Sequence, residues 1–218
     1  MNLRQRINLL PETRETLNVL AMEHHYMHRP VHHRSSPFGY VVEFDGRTSM
    51  PDGHPCGFIV FASIHFVKQR GLFGYPGLPG KWQVLHLSRM WLHDDLPANS
   101  ATVILGKCLR PQGHERISRV GLDWLRIHPP RYIDQPYHVR LVISYADRTY
   151  GHEGTIYKAA NFEYVGDTYS QKRHHNTRGP GLGSVLSQFV YRLPEPKVSV
   201  MELPIPIALP LGWVAKVA

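Results

Sequence analysis

LVISYADRTYGHEGTIYKAANFEYVGDT, residues 141–168, decides the reading of this chain. A β-rich apolar run, a glycine-punctuated turn, a short helical stretch and a second β-rich run follow in close order. The pattern predicts a strand over residues 138–145, a helix over 153–160 and a strand over 162–168. Asp147, His152 and Tyr157 fall at or near the strand-to-helix corner. Open α/β sheets place ligands there, because loops at the carboxyl ends of strands converge. Three groups able to move protons at one such corner point to an enzyme rather than a scaffold.

Upstream, strand-like runs cover residues 38–44, 57–66 and 82–92, the last two so apolar that both faces are expected to be buried. Pro11, Glu12 and Glu15 read as a helix start, with Leu17, Leu20, Ala21, His24 and His28 at helical spacing and an end before Pro30. Asn99 or Ser100 can cap a further helix whose stripe is Ala101, Ile104, Leu105, Cys108 and Leu109. Another helix is predicted over residues 114–127 and a last strand over 188–193. The order α, three β, α, α, β, α, β, β predicts a mixed α/β (α+β) fold, one twisted sheet with helices on both faces. A single domain over residues 1–193 is expected, followed by a proline-rich extension over 194–218.

With 218 residues, 42% of them hydrophobic, the chain can bury a core. No apolar run reaches the roughly 18–20 residues of a membrane span. The polar start carries no signal-peptide stretch, so a cytoplasmic protein is expected. Two distant cysteines, Cys56 and Cys108, make no metal or disulfide framework. The 15 histidines include no H-E-x-x-H and no Cys/His cluster, so no metal ligands are assigned; a labile iron or zinc stays open. The net charge of +8 favours a polyanionic partner. Basic residues gather in two loop-like stretches, and Arg34, Lys172, Arg173 and Arg178 are candidate contacts to a nucleic-acid backbone.

The order of elements resembles the GNAT acyltransferase fold. There, a helix after the third or fourth strand cradles the acyl donor's pyrophosphate, and a later strand–helix–strand completes the site. The stretch GTIYKAANFEYVG resembles the place where many such enzymes carry a tyrosine general acid, and Tyr157 occupies it. A nearer resemblance, over much of residues 20–170, is to the bacteriophage Mom family of DNA-modifying enzymes, a divergent GNAT branch. It is carried by His25-Tyr26, by Leu87-Ser88-Arg89 with the loop DDLPANS, and above all by SYAD…GHEGTIYKAANFEYVGDT. It implies carbamoylmethylation of adenine N6 in double-stranded DNA, protecting phage DNA from restriction. The donor stays open between acetyl-coenzyme A and another acyl or glycyl-type molecule. Two carboxylates, Asp94 and Asp95, and no glycine in the loop argue against a pyrophosphate there.

On that reading Asp147 is the base or amine orienter, Tyr157 the acid, and His152 and His25 proton carriers or substrate contacts. Ser88 and Arg89 hold the donor with Asn99 and Ser100, and Tyr26 stacks on the extruded base. Each has a plainer alternative. Asp147 can cap a turn, Tyr157 can be a core tyrosine, His152 can face solvent, and one of His25 and Tyr26 can simply pack. Arg89 can be half of an internal ion pair. Two rival functions are a small-molecule N-acetyltransferase using acetyl-coenzyme A and a non-catalytic DNA-binding phage protein. A monomer and a homodimer are equally consistent with the sequence.

Overall fold

A computed structural model describes residues 1–31, 37–63, 84–109, 141–169 and 185–192. The helix expected over 114–127, the cationic positions Arg34, Lys172, Arg173 and Arg178, and the tail after residue 193 lie outside the described residues.

The chain opens with a short helix α1 (Leu3–Arg6), a strand β1 (Ile7–Glu12) and a helix α2 (Arg14–His24). This corrects the expected helix start. Pro11 sits in β1, paired with Tyr40, and the cap is Thr13, whose hydroxyl accepts the Thr16 N–H at 3.2 Å. The proline signal is ambiguous because β1 is an edge strand, where a missing N–H costs nothing on the open side. The far end is also corrected: α2 stops at His24, so His28 lies beyond it, in the left-handed region at φ 45°.

Strands β2 (Phe38–Phe44), β3 (Gly57–Ser63) and β4 (Val84–Leu92) follow, then helix α3 (Ser100–Leu109). β5 (Leu141–Asp147) leads through a 3-10 turn (Arg148–Tyr150) to helix α4 (Thr155–Ala159), strand β6 (Glu163–Tyr169) and strand β7 (Val185–Arg192). Among the described residues these make one seven-stranded sheet, order β1-β2-β3-β4-β5-β7-β6. Among these seven described strands only β4 and β5 pair in parallel.

Helices cover both faces of this mixed α/β sheet, as the apolar pattern requires. On β3, Phe58, Val60 and Ala62 pack under Leu17 and Ala21 of α2. The alternate residues Ile59 and Phe61 pack against Ile104, Leu105, Cys108 and Leu109 of α3. All five of these strand residues are at most 1% exposed, which explains the unbroken apolar run.

One irregularity shapes the site. Phe61 pairs with Leu87 but Val60 pairs with Arg89, so Ser88 is an extra residue in β4. The bulge reverses the alternation of side chains. Leu85 and Leu87 lie on the α3 face, yet beyond the bulge Met90 and Leu92 take that face, and Trp91 joins the α2 face with Phe58. Strict alternation along β4 would place His86, Ser88 and Met90 on one face; the bulge separates Met90 from His86.

Candidate active site

The parallel pairing of β4 with β5 lasts for three register positions, ending at His86↔Ile143. Beyond it, β4 stays with β3 as far as Leu92↔Gly57, and β5 stays with β7 as far as Asp147↔Leu186. The sheet therefore opens into a V at the carboxyl ends of its parallel pair, the switch point where open α/β sheets take ligands. A cavity of about 700 Å³ occupies the opening. Its walls come from the end of α2, the outer half of β4, the end of β5, the Gly151–Tyr157 segment and Leu186.

Seven of the sequence-derived site residues line this one cavity: His25, Tyr26, Ser88, Arg89, Asp147, His152 and Tyr157. Asn99 and Ser100 do not line it. The walls also carry His24, His86, Tyr145 and Trp91, which are not among the sequence-derived site candidates. His86 and Tyr145 meet edge to face at 5.5 Å, and His24 stacks on Trp91 at 4.6 Å. Helical spacing flags His24, but Tyr145 and His86 read as ordinary strand residues until the V between β4 and β5 is known.

Asp147 ends β5, is 7% exposed and caps the 3-10 turn, accepting the Thr149 N–H at 3.0 Å on Oδ1. The turn-capping alternative is thus realised, but it occupies one carboxylate oxygen. Among the described residues Oδ2 has no hydrogen-bond partner. The turn closes on Gly151 in the left-handed region at φ 74°, and the His152 N–H reaches back to the Asp147 carbonyl at 3.3 Å.

Tyr157 stands on α4 with its ring 5.4 Å from Phe162 and 5.3 Å from Phe189. Burial pushes its phenol up from the ordinary tyrosine range, partly offset by a hydrogen bond with Ser144. At neutral pH the group is a protonated donor. Gly154 is the N-cap of α4, also left-handed at φ 73°, and a Cβ there would lie 2.2 Å from the Phe189 ring.

α2 ends where His25 turns extended, at ψ 138°. Its ring explains the break, since Nδ1 accepts the Met27 N–H at 3.2 Å and replaces a helical bond. His25 is 5% exposed, and burial, with Arg89, His152 and His28 nearby, pushes it down to about 3. It is neutral at physiological pH, its proton on Nε2 facing away from the Met27 contact. A base so weak carries no proton at neutral pH; it offers a hydrogen bond instead. Burial likewise holds His86 down to about 4.

Tyr26 forms the centre of an aromatic group, 4.3 Å from His25, 4.6 Å from Tyr150 and 4.9 Å from His152. Burial first, then the nearby Asp147 carboxylate, pushes its phenol up to about 12.

Arg89 reaches into the cavity from the residue after the bulge. Its Nη1 donates to the Ser88 carbonyl at 2.7 Å and to Ser88 Oγ at 3.3 Å. The internal ion pair weighed for it is not formed: among the described residues no carboxylate pairs with Arg89, and its Nε is buried with no partner.

The start of α3 does not fit an acyl donor's pyrophosphate. Asp94 and Asp95 are exposed beside it, Asn99 takes φ 71°, and no glycine lets the backbone wrap an anion. Ser100 is 3% exposed, its hydroxyl donating to the Pro97 carbonyl at 2.7 Å and its N–H to the same oxygen at 3.1 Å. Among the described residues no group of three His, Cys, Asp or Glu side chains is placed to hold a metal ion, and no helix is long and apolar enough to cross a membrane.

The strand order, the helix after β4, the β5–α4–β6 unit and the parallel pair that opens define a mixed α/β fold. Over residues 129–180 the chain matches the Mom protein family, the resemblance expected from its sequence. It is similar to the methylcarbamoylase Mom of Escherichia phage Mu, 29% identical over 82 residues. That match covers 38% of this chain and 26% of the phage protein, so the chain spans about a quarter of the curated relative's length. Among solved structures, NAA60 of Arabidopsis thaliana with acetyl-CoA is 14% identical at TM-score 0.48, covering 85% of this chain and 98% of that one. Spermidine N-acetyltransferase of Vibrio cholerae is 9% identical at TM-score 0.44, covering 86% and 94%.

Proposed function

We propose that this chain is a Mom-type transferase that adds a carbamoylmethyl group to the exocyclic N6 of adenine in double-stranded DNA. One observation carries the reading: Asp147 and Tyr157 line the same cavity at the open end of the parallel pair, with Tyr26 between α2 and the 3-10 turn. The Mom match covers the segment that bears both residues.

Adenine N6 is a poor nucleophile because its lone pair is delocalised into the ring. A carboxylate aimed at its proton raises the chance of attack. In the proposed step N6 attacks the donor's electrophilic carbon, and the N6–C bond forms as the bond to the leaving group breaks. The N6 proton passes to Asp147 Oδ2, and the leaving group takes its proton from Tyr157. His152 passes the proton from Asp147 to solvent, and Tyr157 regains one from solvent before the next turnover. The base must leave the duplex to reach the cavity, and the Tyr26 ring is the surface on which it stacks. Arg34, Lys172, Arg173 and Arg178 are proposed to hold the DNA backbone, in the host cell's cytoplasm. No step is routed through coenzyme A, because the α3 start is built against its pyrophosphate.

The test is co-expression with a plasmid, digestion to nucleosides and mass spectrometry. The expected result is a modified deoxyadenosine that disappears in the Asp147→Asn chain. Plasmid containing ordinary adenine alone overturns the reading. Binding of acetyl-coenzyme A without any DNA affinity at low salt would favour a small-molecule N-acetyltransferase instead. Modification that survives loss of Asp147 and Tyr157 would strip both residues of these roles, and DNA affinity with no modified nucleoside would favour a non-catalytic DNA-binding protein.

A further inference from the structure

We propose that Arg89 is the anchor for an oxyanion, a carboxylate or phosphate, carried by the group donor, so that the donor is held from β4 and not from the start of α3. The naming of its carrier rests on the transfer reading above; the oxyanion site does not.

Three observations converge. First, the guanidinium is half committed. Nη1 is fixed by the Ser88 carbonyl and hydroxyl, which sets the plane of the group. Its Nε is buried without a partner, and among the described residues Nη2 has none either. Nε and Nη2 form one edge of the guanidinium, whose two parallel N–H groups match the two oxygens of a carboxylate or phosphate.

Second, among the described residues no carboxylate compensates the charge. Asp147 and Glu153 also line the cavity, but neither forms an ion pair with Arg89. The charged group nearby that acts on Arg89 is a second cation, Arg29, and the Tyr26 hydroxyl beside it is neutral. A desolvated guanidinium without a counter-ion weakens a fold unless a ligand supplies the missing charge.

Third, the alternative anchor is closed. The α3 start presents two carboxylates, a left-handed Asn99 and a Ser100 whose hydroxyl and N–H both go to Pro97. The bulge at Ser88 is what turns Arg89 toward the cavity. Without the extra residue, Arg89 would fall on the α3 face beneath the apolar core. The β4 irregularity and the anion edge are therefore one device.

The test follows the unfolding midpoint of the full-length protein as inorganic phosphate, and separately acetate, is titrated at constant ionic strength. Both are expected to raise the midpoint of the parent with concentration. In Arg89→Met the rise should vanish, and in Arg89→Lys, which keeps the charge but loses the fork, the anion should bind roughly tenfold more weakly. No rise in the parent, an equal rise in Arg89→Met, or parental binding by Arg89→Lys each overturns the proposal. A second arm measures affinity for a short duplex against salt. Unchanged affinity and slope in Arg89→Met are expected; a slope smaller by about one assigns Arg89 to a DNA phosphate and overturns the donor assignment. None of these readouts needs adenine modification, so failure here and failure of the transfer reading are separable.

Discussion

Ser144 Oγ donates to the Leu87 carbonyl at 3.3 Å, a single buried rung between β5 and β4 just past their last ladder pair. The same hydroxyl is bonded to Tyr157. One side chain thus limits how far the V opens and holds the phenol at its inner wall. Ser144→Ala removes both contacts and leaves two buried polar groups unpaired, at about 1–3 kcal/mol. Denaturant unfolding should register that loss. Adenine modification should fall further than stability explains, because the tyrosine loses its orienting partner. Unchanged stability and turnover would show that the rung is incidental.

Gly154 and Gly151 share nearly the same left-handed conformation, φ 73° and 74°, yet differ in surroundings. A Cβ on Gly151 meets nothing within 4 Å, whereas one on Gly154 strikes the Phe189 ring at 2.2 Å. Gly151→Ala should cost only the backbone strain, about 1 kcal/mol. Gly154→Ala adds overpacking of about 1–3 kcal/mol against a buried aromatic. It should also displace α4 and with it Tyr157. Thermal unfolding of the pair checks the contrast, and equal midpoints would contradict the close approach.

Two histidines make the fold acid-sensitive in a defined window. His25 and His86 are held neutral by burial, down to about 3 and about 4. The unfolded chain protonates both near the ordinary 6.5, so below that pH it binds protons that the native state refuses. Stability is therefore complete above about pH 6.5 and declines as pH falls toward 4. The slope approaches about 1.4 kcal/mol per pH unit for each group in mid-window. Urea unfolding at pH 7 and pH 5 measures it, and His86→Phe should flatten the dependence. An equal slope in that variant would exclude His86 as a source.

Much of this was legible because periodicity and composition are local. Phe38–Phe44 was bounded as a strand, and the stripe Ile104, Leu105, Cys108, Leu109 is the buried face of α3. Asp147, His152 and Tyr157 share a cavity because one short strand–turn–helix carries all three. Register was not legible. The extra residue at Ser88 becomes visible only when β3 is laid beside β4, and it decides that Met90 takes the α3 face while Arg89 does not. The same holds for His86 and Tyr145, which become wall residues only because two paired strands part beyond them. Pro11 misled because proline suits both a helix start and an edge strand, and the choice depends on β2 as a partner.

Asp147 is the sharpest place to separate scaffold from chemistry. Its Oδ1 caps the 3-10 turn through the Thr149 N–H, and the role proposed for Oδ2 is that of a base. Asparagine keeps an acceptor oxygen in the same position, so Asp147→Asn should preserve the turn and shift stability by less than about 1 kcal/mol. An amide accepts no proton from the adenine amine, so modification should fall on the order of 10²–10⁴-fold. Asp147→Ala loses cap and base together and should add about 1 kcal/mol of destabilisation to the same loss of turnover. Nucleoside mass spectrometry alongside denaturant unfolding reads both quantities on the same preparations. Full modification by the asparagine variant would reduce Asp147 to a capping residue and move the search for the base to His152.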